Sequence, residues 1–348
     1  MKRSLVPLSL LFFILPCCSQ DLDSLRYPGE NHLRNVRQLT FGGLNAEAYF
    51  SFDERRLVFQ SVRDSFRCDQ IFTMNTDGSD VRLVSTGKGR TTCAYYLPDG
   101  AHVLYASTHL DDPQCPPVPD RKKGYVWGLF RGYDIFIADT GGTITRRLTD
   151  VPGYDAEAVV SPAGDRIAFT SIRGGDLDIY TMNLDGSDVR RLTHELGYDG
   201  GPFFSSDGKK IVYRAYHPKT DSEVTEYKQL LAEEKIRPIN LQVFLMDADG
   251  SNKMQITHNS GTNFAPYLFP DGQSVIFSSN LADTLRATFN FDLFAVRTDG
   301  TGLERVTYGP GFEGFPMFTR DGKKLVFASS RNGKSPYEIN VFLADWVP

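Results

Sequence analysis

Histidine is scarce in this chain, six among 348 residues, and none falls in a His-x-His or His-Glu-x-x-His spacing. Metal-assisted hydrolysis therefore has no motif to rest on. A Gly-x-Ser-x-Gly elbow, a glycine-rich phosphate loop and a Cys-x-x-Cys pair are also missing. Serine hydrolases of the elbow type, nucleotide-binding enzymes and dithiol redox proteins lose their usual sequence support. The Asp-Gly-Ser turns lack the length and remaining ligands of an EF-hand. Charge is nearly balanced, 38 basic against 43 acidic residues. That pattern argues against a nucleic-acid groove or a basic membrane face.

What the chain has in quantity is turns at a fixed phase. Asp-Gly and similar pairs follow a short first strand near 52, 98, 162, 206, 270 and 320. A second set, including Asp77-Gly-Ser, Asp185-Gly-Ser, Asp249-Gly-Ser and Asp299-Gly-Thr, precedes a fourth strand. Glycine, and to a lesser degree aspartate, tolerates the positive φ that tight hairpins demand. A third marker, Leu-Thr or its equivalent, ends each unit at Thr40, Thr149, Thr193, Thr257 and Thr307, with a degenerate Leu83-Val84. Three rulers in one phase predict six repeats of four short strands: 41–84, 85–149, 150–193, 194–257, 258–307 and 308–348. The last repeat lacks a fourth strand, while 36–40 is a fourth-type strand with nothing before it. The expected fold is all-β, a six-bladed propeller of four-stranded antiparallel blades over 36–348, closed by the N-terminal strand.

Residues 1–17 read as a secretory signal, with Lys2-Arg3 before an apolar run at 5–15. Leu15-Pro-Cys-Cys18 resembles a bacterial lipoprotein signal. On that resemblance Cys18 carries a lipid, and 18–35 is a lipidated N-terminus and tether. Plain secretion is the alternative. Cys68, Cys93 and Cys115 outlast processing. Cys68 and Cys115 both lie between second and third strands of adjacent repeats, which makes them the candidate disulfide, with free thiols as the alternative.

Connections between first and second strands, and between third and fourth, are short in every repeat. The other two classes emerge on the opposite face and carry every insertion, near 110–132, 216–240 and 281–290. This decorated face is the expected binding face. Residues 221–236 predict an amphipathic helix, capped by Asp221 or Ser222 and ended by Pro238. Tyr125, Trp127, Phe130, Tyr227 and Leu231 are the candidate partner-binding side chains. First strands face the channel and open on Asn45, Thr91, Asp155, Asp199, Asn263 and Glu313, with Glu47 and Glu157 two residues further on. Oxygens converging at the channel mouth can hold a cation, a sugar or a basic peptide. The same residue types also bond their own loop backbone, and both readings stand. His194 and His258 occupy equivalent places in adjacent repeats and are the nearest approach to metal ligands.

Ser161-Pro-Ala-Gly-Asp-Arg-Ile-Ala-Phe-Thr-Ser, Asp178-Ile-Tyr-Thr-Met-Asn-Leu-Asp-Gly-Ser and Arg191-Leu-Thr resemble the WD40-like repeats of the TolB family of periplasmic propellers. The resemblance covers about 36–346. Family members of the TolB type carry an additional N-terminal α/β domain, absent from this sequence, and work in the envelope through partner proteins. Oligogalacturonate lyases have a comparable propeller with a histidine cluster that is not visible here. The resemblance implies a non-enzymatic binding or scaffolding lipoprotein of the bacterial cell envelope. Its expected partner is an envelope protein, and it lies in the periplasm or at the cell surface, or is secreted if unlipidated. A carbohydrate-active, metal-assisted enzyme and a small-ligand or glycan-sensing lipoprotein are the alternatives. No cofactor is expected beyond a cation at the channel, no nucleic acid is bound, and the ring is monomeric.

Overall fold

In a computed structural model, residues 24–120, 122, 124–283, 290–335 and 337–348 are described. The signal at 1–17, Cys18 and part of the insertion in the fifth repeat lie outside them. Blade 3 sets the pattern: Asp155–Val160, Arg166–Ser171, Asp178–Asn183 and Arg190–Arg191 pair antiparallel in that order. The other first strands are Leu44–Phe50, Thr91–Tyr96, Tyr198–Phe204, Asn263–Leu268 and Glu313–Phe318. Each touches the next round the ring, and the last touches the first. The described chain is a six-bladed β-propeller.

The recurring sequence marks have physical causes. In the Asp-Gly-Ser turn, Asp185 Oδ1 accepts from the Ser187 amide and hydroxyl at 2.9 and 2.6 Å, while Gly186 takes φ +87°. Asp77, Asp249 and Asp299 repeat this geometry. The threonine of Leu-Thr is a clasp within the blade. Thr193 Oγ1 accepts from the Ile179 amide at 2.9 Å and donates to Asp178 at 3.2 Å. Thr40, Thr149, Thr257 and Thr307 also accept from their third strands, and Ser85 replaces threonine in blade 1. The residue before the clasp, such as Leu192 or Ile256, is buried in the core in five blades, and Leu148 of blade 2 packs partly buried against it. Second strands such as Arg166–Ser171 are buried on both faces after their first residue, because each blade is sandwiched between neighbours.

One backbone bond stitches every blade to the next. The amide opening each first strand donates to the carbonyl just before the third strand of the preceding blade. Asp155 donates to Tyr133 at 3.0 Å, and Asn45 donates to Ile339 at 2.8 Å across the closure. The seam is chemically like the other five junctions. Its fourth strand, Leu33–Gln38, pairs with Asn340–Trp346, beginning three residues ahead of the expected 36–40. Residues 25–32, read from sequence as tether, are docked. Arg331 bonds the Leu25 carbonyl and the Glu30 carboxylate, and Tyr308 donates its amide to Glu30.

The insertion helix is Asp221–Ala232, shorter than expected and capped by Thr220 in a reciprocal box with Glu223. It stops before Pro238 because Lys235–Ile236 leaves to pair with Trp127–Gly128, joining the insertions of blades 4 and 2. Cys68 and Cys115 form a disulfide, with Cα atoms 5.6 Å apart, that fastens the blade 2 insertion to blade 1.

Candidate functional site

Every first strand carries the same bulge, three residues into the strand or close to it. The bulged residue has a left-handed backbone in all six blades. These are Glu47 (φ 51°), Cys93 (49°), Glu157 (57°), Gly201 (58°), Ala265 (48°) and Phe315 (54°). For the five that are not glycine this costs on the order of 1 kcal/mol each. The bulge keeps pairing on either side while turning one side chain from each blade into the channel. All six line a single small cavity.

Two of the six are carboxylates with different surroundings. Glu157 accepts from Thr170 Oγ1 at 2.7 Å, from the Gly201 amide at 2.9 Å and from the Arg214 guanidinium. Arg214 in turn lies against the Trp127 ring at 5.3 Å and the Tyr198 ring at 5.6 Å, so the blade 2 insertion covers the pair. Glu47 has no such cation. Burial pushes its carboxyl up to about 7, against a bond from Cys93 that pulls the other way. Burial and the nearby carboxylates push the Cys93 thiol well up. It stays protonated and is a poor nucleophile at neutral pH.

Beyond this layer the channel is closed by aromatic rings. Tyr49 of blade 1 meets Phe203 of blade 4 across the axis, with ring centres 5.2 Å apart, and Tyr267 packs on Phe203 at 5.5 Å. On the far side of the plug, at the undecorated face, lies a cleft of about 310 Å³. Its walls include Phe52, Tyr95, Phe204 and Phe318, and its rim carries Glu54 and Arg320. Arg320 stacks on Phe52 at 5.3 Å and donates its amide to Glu54. This cleft escaped sequence reasoning, which looked to the insertions. A signal was present in the aromatic residues that end first strands and begin the following turns, such as Phe50-Ser-Phe52 and Phe203-Phe204.

Other candidates from the sequence fall elsewhere. Asn45, Asp155, Asp199, Asn263 and Glu313 are each at most 2% exposed and bonded at blade junctions. Ser61 donates to Asn45 at 2.8 Å, Arg173 to Asp155 at 2.9 Å and Ser279 to Asn263 at 2.7 Å. His217 lies 3.0 Å from Asp199, and Ser329 donates to Glu313 at 2.9 Å. Of the proposed channel oxygens, Glu47 and Glu157 are the two that line the cavity. On the decorated face Tyr227 is buried, its hydroxyl against Asp176 and the Gly197 carbonyl. Leu231, Phe130 and Trp127 pack partly buried against the same cluster, and Tyr125 is exposed beside Trp127. His194 and His258 are exposed. Among the described residues no group of three metal-ligating side chains converges.

A family model described as the TolB beta propeller domain matches residues 130–236. TolB from Acinetobacter baumannii is 20% identical with a TM-score of 0.56, over 76% of this chain and 55% of that one. A putative TolB from Agrobacterium tumefaciens is 19% identical at 0.57, over 90% and 97%. Oligogalacturonate lyase from Vibrio parahaemolyticus is 13% identical at 0.52, over 91% and 94%. No curated protein sequence matches the chain. At these identities the structural likeness is one of fold.

Proposed function

We propose that this chain, a six-bladed β-propeller of the TolB-like type, is a partner-binding or scaffolding protein of the bacterial cell envelope, held there by an N-terminal lipid on Cys18. The observation that carries the reading is the cleft at the undecorated face. It is open to solvent on one side and floored by the Tyr49–Phe203 plug. It is walled by aromatic rings that are already ordered. Its volume is at the small end of the range for ligand sites. It suits an apolar side chain of a protein segment, with Arg320 and Glu54 at the rim to fix the segment's polar backbone. Rigid aromatic walls with a polar rim are the usual anatomy of a binding hot spot.

A photo-crosslinking residue at position 52, in the lipidated protein in its own envelope, tests this. The expected result is one envelope protein joined in 1:1 ratio and lost with Arg320→Glu, while Tyr125→Ser on the opposite face leaves it intact. Absence of any crosslinked protein, together with a stoichiometric metal or glycan on the purified ring, overturns the reading. It would return attention to the Glu47 and Glu157 layer.

A further inference from the structure

We propose that the decorated face, over blades 6, 1 and 2, rests on the lipid surface, so that the cleft on the other face points away from the bilayer. The inference rests on the lipid-anchored reading above and adds the orientation of the ring.

The N-terminal segment is held at the decorated rim of blade 6. Arg331, which follows the second strand of blade 6 on the decorated face, bonds the Leu25 carbonyl at 2.9 Å and Glu30 at 2.9 Å. Tyr27 packs beside Gly309 in the blade 5 to blade 6 connection, on the same face. Leu25 follows Cys18 by seven positions, a reach of about 24 Å fully extended. A lipid on Cys18 therefore draws this rim to the membrane.

The same rim exposes large apolar side chains. Among the described residues, the four most exposed large apolar side chains are Tyr337 (81%), Phe41 (71%), Val118 (61%) and Leu110 (58%). All four lie in decorated-face connections, in blade 6, the blade 6 to blade 1 junction and the blade 2 insertion. The loop that holds the N-terminal segment through Arg331 also carries Tyr337, and its Glu338 accepts from the Gly42 amide beside Phe41. The disulfide from Cys68 to Cys115 brings the Leu110 and Val118 insertion to the same arc. The Tyr337 ring with its polar tip suits the headgroup level, and the wholly apolar Phe41, Leu110 and Val118 suit the acyl boundary just beneath it. Acidic and basic residues are mixed along these loops, as at Asp64, Arg67 and Lys334. The contact is therefore apolar and insensitive to salt.

Lipidated full-length chain, made with its own leader and reconstituted into phosphatidylethanolamine and phosphatidylglycerol vesicles, gives the test. A fluorophore is placed on Tyr337→Cys or on Lys209→Cys in the opposite face, and the vesicles carry a headgroup nitroxide lipid. Quenching at 337 is expected to exceed that at 209 by at least about threefold, unchanged between low and physiological salt. Phe41→Ser with Leu110→Ser, both at exposed positions, brings the ratio close to one. A parent ratio of one or less, a ratio untouched by the serine substitutions, or a chain that fails to float with the vesicles overturns the proposal. Crosslinking at position 52 repeated in detergent is independent of orientation, so failure of the partner reading is told apart from failure of this one.

Discussion

Arg331 and Glu30 stand 301 residues apart in the chain and form a buried ion pair, N to O 2.9 Å. The same guanidinium lies 3.0 Å from Glu313, and all three side chains are at most 1% exposed. One cation thus ties the N-terminal segment, the first strand of blade 6 and the loop after its second strand. Removing it leaves two carboxylates buried without their partner.

Arg331→Met is therefore expected to destabilise the ring by about 3–5 kcal/mol, the range for breaking a buried pair from one side. Urea titration measures the loss. Limited proteolysis is expected to cut within 24–32 in the variant and to spare the parent under the same conditions.

Stability should fall as pH rises toward neutrality. Burial pushes the Glu47 and Glu313 carboxyls up from about 4.5 to about 7. Between those values the folded ring holds protons that the unfolded chain has released. The stabilisation is full below about 4.5 and is lost as pH rises through about 7. Thermal midpoints from pH 5 to 7.5 check the sign, and Glu47→Gln is expected to flatten the slope. A steeper slope in that variant would contradict the assignment.

The threonine clasps can be tested one blade at a time. Thr193→Val keeps the shape and removes the acceptor for the Ile179 amide and the donor to Asp178. An expected cost of about 1–3 kcal/mol follows from leaving buried partners unsatisfied. Thr193→Ser is expected to retain most of the stability, and a chemical denaturation series compares the three.

Cys115→Ser releases a loop spanning 47 residues of sequence. Chain entropy sets the loss at about 4 kcal/mol at most. Hydrogen exchange is expected to quicken first in 109–127, with blades 3 to 5 unchanged. A parent treated with reductant should behave the same way.

The repeats were legible because turns impose local chemistry. Asp185-Gly-Ser and Leu192-Thr must recur wherever the same hairpin and clasp recur, and both lie within a few residues of sequence. The ring closure followed from counting strands, and the cysteine pair from their equivalent places in adjacent blades. The channel was harder to read. Asn45 and Glu47 look alike in sequence, two polar residues one apart on a strand. A bulge at Glu47 aims it at the axis, while Asn45 remains locked against Ser61 and Asn340. Alternation alone cannot reveal a bulge when five of the six left-handed positions carry no glycine. The helix was overextended for a similar reason. The pairing of Lys235–Ile236 with Trp127–Gly128 joins segments more than a hundred residues apart, beyond the reach of local periodicity.

The pairing of Leu33–Gln38 with Asn340–Trp346 has a consequence for how the molecule is born. The strand that finishes the sixth sheet is the first strand made and must wait until nearly every other residue has been synthesised. During that interval two unpaired edges exist, one at each end of a nearly complete arc, and either can pair with a neighbour. Contacts so distant in sequence also form slowly. Because both edges belong to one chain, they meet at a high local concentration, and the chain's own edge becomes the favoured mate over that of another copy.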